Sequence, residues 1–264
     1  MALYFLLPFL VAGMISAATV GTTDRFIPLV HDGGGWSTQV TVINLSRKPE
    51  TIVLSFVPPR GLSQEWRLGL KVTNGKVAEN IVDAILAPGA VAVIDTSGTP
   101  ENLTRWFIEL YALGEQPFGA FATLIQRDGN RIVQRIHVPL TPAHDRRSVL
   151  PLDLSDAAVR AEMVWVTLTT KTTLDLEFRN LAGQLVRTEQ VYMDNKAQVF
   201  VDLLESFPEL KGFRGTMQWT VSFPGADRYE ARFLGGLGLI GRDGQAVVST
   251  GMTLAADQAT FSPY

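Results

Sequence analysis

The feature that most constrains this chain is that it repeats itself. FIPL, from Phe26 to Leu29, returns as VLPL, from Val149 to Leu152, and the two prolines set an offset of 151 − 28 = 123 residues. The segment ending at Phe56 matches the one ending at Phe178, at 178 − 56 = 122, and VAVID, ending at Asp95, matches QVFVD, ending at Asp202, at 202 − 95 = 107. LIQRDG, with Asp128, matches LIGRDG, with Asp243, at 243 − 128 = 115. Order is kept throughout, the mark of a duplication. The changing offset places extra residues in the first copy between Arg60 and Leu86, and in the second between Asp202 and Leu239.

Within each copy the apolar period is two. Ile52, Leu54 and Phe56 alternate with Thr51, Val53 and Ser55, and Leu174, Leu176 and Phe178 alternate with Thr173, Asp175 and Glu177, the pattern of half-buried antiparallel strands. Roughly seven such strands per copy, broken by Gly, Pro, Asn and Asp, define an all-β fold of two tandem antiparallel immunoglobulin-like sandwiches. The expected boundaries are 26–140 for the first module and 149–254 for the second, with a polar linker TPAHDRRS at 141–148 and a C-terminal tail at 255–264. So short a linker predicts sandwiches set end to end with limited freedom.

Three helices are expected: Thr99 to Trp106, with Pro100 at the first helical position; Asp202 to Leu210, capped by Asp202; and Lys76 to Leu86, where Val77, Ile81 and Ile85 recur at helical spacing. The segment Gly61 to Leu86 is read as what the first module has and the second lacks. Its apolar side is expected to cover an edge of its own sheet rather than to dock a partner.

The first charged side chain is Asp24, and Ser16-Ala17-Ala18 suits a signal peptidase, so residues 1–18 are read as an export signal, with membrane contact only if it stays uncleaved. The chain has no cysteine, which removes disulfides, thiolate metal sites and cysteine nucleophiles. A formal charge of −3 with no basic stripe argues against nucleic acid.

Ile27-Pro28 followed by GGGWSTQVTVIN from Gly33 to Asn44, then LAPG from Leu86 to Gly89 and FPELKGFRG from Phe207 to Gly215, resembles the tandem β-sandwich repeats of predicted exported proteins of environmental bacteria. That family has no assigned activity, so the resemblance implies architecture and location rather than mechanism. The second module departs from it, with SDAAV, from Ser155 to Val159, where the glycines and tryptophan would stand.

The glycines Gly33, Gly34 and Gly35 are read as a turn, permitted locally rather than demanded by the fold, because no helix follows to aim amides at a phosphate. GLGLIG, from Gly236 to Gly241, fits a dinucleotide fingerprint literally, but its counterpart in the first copy is a plain strand. His31, His137 and His144 form no motif, and a triad of His144, Asp145 and a serine has nothing to fix its geometry. Asp153 and Asp156 are read as solvated acids rather than a calcium site, and the sequons at Asn44 and Asn102 as turn residues.

Trp165 and Trp219 are expected in the core. Trp66, Trp106 and Trp36 are the candidate ligand-binding residues of a sugar platform, although Trp66 alternates with Leu68, Leu70 and Val72 like a buried strand face. The expectation is a non-catalytic exported protein, secreted or at the cell surface, with a structural, adhesive or assembly role. No catalytic residue, metal or cofactor is expected, and the partners are other copies or surface and matrix components. The alternative is a carbohydrate-binding sandwich that uses exposed aromatics.

Overall fold

The computed structural model describes residues 25–58, 67–142, 147–156, 159–167, 171–194, 197–222, 233–242, 245–250 and 252–253, with backbone alone at 142 and from 233 onward. Among the described residues the strands form four antiparallel sheets. The first copy supplies β1 (Arg25–Asp32), β2 (Trp36–Asn44), β3 (Glu50–Val57), β4 (Leu70–Val72), β5 (Gly75–Ala78), β6 (Ile81–Leu86), β7 (Val91–Thr96), β8 (Thr104–Ala112), β9 (Phe118–Asp128), β10 (Arg131–Pro139) and β11 (Thr141–Pro142). The second supplies β12 (Arg147–Asp153), β13 (Val159–Thr167), β14 (Thr172–Asn180), β15 (Leu185–Met193), β16 (Ala197–Asp202), β17 (Arg214–Ser222), β18 (Phe233–Arg242), β19 (Gln245–Thr250) and β20 (Met252–Thr253). Between β16 and β17 lie a helical turn α1 (Leu203–Ser206) and a 3-10 turn at Pro208–Leu210.

The strand orders repeat as the sequence does. Sheet I runs β11-β1-β8-β3-β6-β5 and its counterpart, sheet III, runs β20-β12-β17-β14-β15; sheet II runs β10-β9-β2-β7-β4 and its counterpart, sheet IV, runs β19-β18-β13-β16. Element for element these are the same sandwich, with β4 and β5 added in the first copy. The central pairs β2–β7 and β3–β8 match the second–fifth and third–sixth pairings of an immunoglobulin sandwich, while the first strand pairs with the sixth instead of the second.

Register carries the correspondence to single residues. Ile27 and Phe56 both face Ile108, and Leu150 and Phe178, their counterparts, both face Met217. Asp95 lies opposite Gln39 and Asp202 opposite Glu162, which keeps the offsets of 162 − 39 = 123 and 202 − 95 = 107. One match shifts: Leu124 pairs with Thr38, but it is Ile240, not Leu239, that pairs with Ala161. The strand of the second copy is therefore one residue out of step with the sequence match.

Each sandwich closes over its own core. In the first, Val40, Val42, Ile52, Leu54, Trp106 and Ile108 are fully buried; in the second, Leu150, Met163, Trp165, Leu176, Phe178 and Met217 are. Trp165 and Trp219 meet edge to face with centroids 6.2 Å apart, at the heart of the second core as expected.

The two sandwiches do not sit end to end. Phe26 and Phe107 on the outer face of sheet I pack with Val166 on the outer face of sheet IV, all three fully buried. Val164 and Phe200, also on that outer face, pack against the first core. The Gln198 amide donates across the junction to the carbonyls of Pro28 at 2.8 Å and Trp106 at 3.2 Å. The result is four layers, in the order II, I, IV, III. Apolar runs in β8 (Trp106-Phe107-Ile108) and β13 (Val164-Trp165-Val166) serve two faces at once, which is why they do not alternate. The described ends of the linker lie in strands, since Thr141 pairs with Phe26 and β12 has begun by Arg147.

Two of the expected helices are not helical. Lys76 to Leu86 forms β5 and β6 about a turn at Glu79-Asn80, with Glu79 at φ 59. The i, i+4 spacing of Val77, Ile81 and Ile85 is that of exposed positions, 40%, 43% and 54% accessible, while Val82, Ala84 and Leu86 alternate into the core. Thr99 to Trp106 is irregular up to β8, because Pro100 is held by its carbonyl accepting the Gly34 N–H at 2.9 Å. The third helix forms where expected, with the Asp202 carboxylate accepting from the amides of Leu204 and Glu205, but it breaks at Phe207 into the two short turns.

The addition in the first copy is narrower than Gly61 to Leu86, because β6 has the counterpart β15. What is new among the described residues is β4 on sheet II and β5 on sheet I, so each sheet gains an edge strand. Asn74 joins the two edges: its side chain donates to the Val91 carbonyl at 2.8 Å, and its carbonyl accepts from Ile85 at 3.1 Å. The copies thus treat one edge differently. Where β6 points Val82, Ala84 and Leu86 inward and is covered by β5, β15 points Arg187 and Glu189 inward as an ion pair, a charged guard against edge pairing.

Candidate functional site

The sequence singles out the stretch from His31 to Thr38, and the structure makes it a tight hairpin. Gly33 and Trp36 exchange both backbone hydrogen bonds at 2.9 Å, leaving Gly34 (φ 57) and Gly35 (φ 83) as a two-residue turn with positive φ at both positions, the geometry of a type I′ turn. It is a turn, but it is not merely permitted. A Cβ on Gly33 (φ 85) would lie 2.4 Å from the Asn102 carbonyl oxygen, and one on Gly35 would lie 2.9 Å from that of Arg127. The first copy demands glycine because the 98–103 segment closes over this turn. Asp32 ties that segment down by accepting the Gly98 N–H at 2.7 Å.

His31 lies beneath the turn, 6% exposed, with its backbone N–H and carbonyl both bonded to the Thr38 hydroxyl. Its ring meets Trp36 edge-on at 4.9 Å. Neither ring nitrogen has a partner among the described residues, and burial, reinforced by the Arg105 charge, lowers its pKa to about 3. It is a neutral packing residue with no hydrogen-bond partner for its ring among the described residues. His137 stands on the outer face of sheet II, where Nδ1 bonds the Thr123 hydroxyl at 3.0 Å and the ring meets Phe121. His144 and Asp145 lie outside the described residues.

The aromatic candidates are not brought together. Trp106 is fully buried, with Nε1 donating to the Thr104 hydroxyl at 3.0 Å, so its ring has no face to offer a sugar and it leaves the ligand-binding set. Trp36 is half-buried against His31. Trp66 lies outside the described residues, although Leu68 beside it is buried as the alternation requires.

Asp153 is occupied by its neighbours, accepting from the Ser155 hydroxyl and amide and from Arg214, contacts that hold its carboxyl below the usual range. No three His, Cys, Asp or Glu among the described residues are placed to share a metal ion. Asn44 is a buried latch, its amide donating to the carbonyls of Lys48, Leu86 and Ala87 while its oxygen accepts from Ser46. That leaves no exposed nitrogen for a glycan. Gly236 and Gly238 of GLGLIG lie in β18 opposite Trp165 and Met163, so the motif runs within a strand.

What sequence reasoning missed is the outer face of sheet III. Tyr192 is 73% exposed there, and its hydroxyl donates to Gln190 Oε1 at 2.7 Å, while Gln190 Nε2 donates to Asp175 Oδ1 at 2.7 Å. Alternation alone shows that these side chains point outward but not that they bond to one another across strands.

The fold and these sites define an all-β, antiparallel protein built from a duplicated sandwich. No family model matches the chain, and no curated protein does. Among solved structures, the pilus backbone RrgB of Streptococcus pneumoniae aligns over 83% of this chain and 82% of that chain at 16% identity, with a TM-score of 0.17, too low to carry an argument.

Proposed function

We propose that this chain is a non-catalytic structural protein of the cell surface, exported through residues 1–18 and contributing to an assembly with other copies or with matrix components. The observation that carries this reading is the docking of sheet I on sheet IV. It turns two sandwiches into one four-layer block whose outermost sheets, II and III, face solvent on opposite sides. A block of this kind transmits force and displays two surfaces, and its buried histidine and self-paired carboxylates serve its own packing. The domain limits 26–140 and 149–254 belong to the same proposal, since β1 to β10 fall within the first, Arg25 aside, and β13 to β20 with most of β12 fall within the second.

The test is fractionation of cells expressing the full chain, with N-terminal sequencing of the product and negative-stain imaging of the purified protein. A mature product beginning after Ala18, found outside the cell in regular assemblies, is the expected result. A cytoplasmic, full-length monomer would contradict it.

A further inference from the structure

We propose that the outer face of sheet III binds an uncharged polysaccharide, with Tyr192 as the stacking surface and Gln190, Asp175, Thr220 and Arg147 as a hydrogen-bonding row. These four residues occupy one rung across four strands: Gln190 of β15 lies opposite Asp175 of β14, Asp175 opposite Thr220 of β17, and Thr220 opposite Arg147 of β12. At the usual strand spacing of about 4.8 Å the row is about 14 Å long, room for several hydroxyl-bearing rings laid across the sheet.

The row is pre-ordered. Tyr192 is fixed through its hydroxyl on Gln190, and Gln190 is fixed on Asp175. With the Gln218 amide oxygen turned toward Arg147, it accepts from Nε at 3.0 Å and Nη2 at 3.1 Å, so the guanidinium is held as well. Side chains ordered before binding lose little entropy on contact. An exposed aromatic face suits the C–H face of a pyranose, and an amide, a carboxylate, a hydroxyl and a guanidinium alongside suit its equatorial hydroxyls.

Charge selects the ligand class. Asp175 and Glu177 are matched by Arg147 and Arg179, with Arg179 paired to Glu177 at 2.7 Å, so the row and its neighbours, among the described residues, carry no excess cation for phosphate or uronate. On the opposite outer sheet, Phe121 is less exposed, at 43%, and His137 covers its edge. It is the weaker platform and an internal control. This inference stands apart from the surface-assembly reading, since neither export nor self-association is needed for it.

The experiment is native electrophoresis of the full chain in gels cast with hydroxyethylcellulose, xylan, glucomannan or dextran, and with pectate as the anionic comparison. Retardation in at least one neutral gel is expected. Tyr192→Ala should weaken it by about tenfold or more in apparent Kd, Gln190→Ala by severalfold, and Phe121→Ala not at all. Because Tyr192 is 73% exposed, its variants should keep the native melting temperature. No retardation in any neutral gel, retardation in pectate alone, or retardation that survives Tyr192→Ala would overturn the proposal.

Discussion

Arg105 Nη1 donates to Glu162 Oε1 at 2.8 Å, and the same guanidinium lies 4.4 Å from the centroid of the Phe200 ring. One side chain of the first sandwich thus makes an ion pair with β13 and a cation–π contact with β16 of the second. Both are at the margin of the junction, whose dry centre is Phe26, Phe107 and Val166.

The centre should outweigh the margin. The ion-pair side chains are 34% and 30% exposed, so solvent screens them, and a double-mutant cycle with Arg105→Ala and Glu162→Ala should give a coupling of about 0.5–1 kcal/mol. Phe107→Ala, which leaves a cavity between the sheets, should cost about 3–5 kcal/mol. Urea unfolding measures both, and a coupling larger than the Phe107 loss would mean that charge, not apolar packing, holds the sandwiches together.

Gly33 and Gly129 separate conformational cost from crowding. Gly129 has φ 57 with open space where a Cβ would stand, so Gly129→Ala should cost only about 1 kcal/mol. Gly33→Ala adds a clash with the carbonyls of Asn102 and Pro100 and should cost at least about 2 kcal/mol more. Gly34→Ala should fall between them, with its Cβ 3.0 Å from the Leu103 nitrogen. Equal melting temperatures for the Gly33 and Gly129 variants would show that the turn is looser than the geometry implies.

His31 makes stability depend on pH. Its folded pKa of about 3 lies below the ordinary 6.5, so between these values the unfolded chain binds a proton that the folded chain refuses. Stability from this group is therefore full above about pH 6.5 and falls by up to about 1.4 kcal/mol per pH unit as acid is added, until the folded pKa is reached. Comparing the native chain with His31→Phe cancels carboxylates such as Asp153. The difference should grow from pH 7 to pH 4, and a constant difference would place His31 in contact with water.

Much of this was legible in sequence. The proline pair Pro28 and Pro151 and the phenylalanine pair Phe56 and Phe178 locate the duplication, and ladder register supports it at Phe56 and Phe178 and at Ile27 and Leu150 beside the prolines. The misread helix at 76–86 shows a limit, because a spacing of four is also a multiple of two. Val82, Ala84 and Leu86 carried the true period within the same stretch. The docking of the sandwiches left a trace that end-to-end reasoning passed over: Phe107 and Val166 sit where an outward-facing residue should be polar. The bonded row at Tyr192 could not be read, since which outward residues meet depends on pairing strands distant in sequence.

The most direct test of the docked arrangement uses the absence of native cysteine. Val166→Cys places a single thiol on the outer face of β13, a position that is fully buried only because sheet I covers it. Its labelling by a thiol reagent under native conditions should be slow and limited by unfolding, while Tyr192→Cys, on the solvent-facing sheet, labels at the rate of a free thiol. Equal, fast labelling at both positions would contradict the four-layer structure.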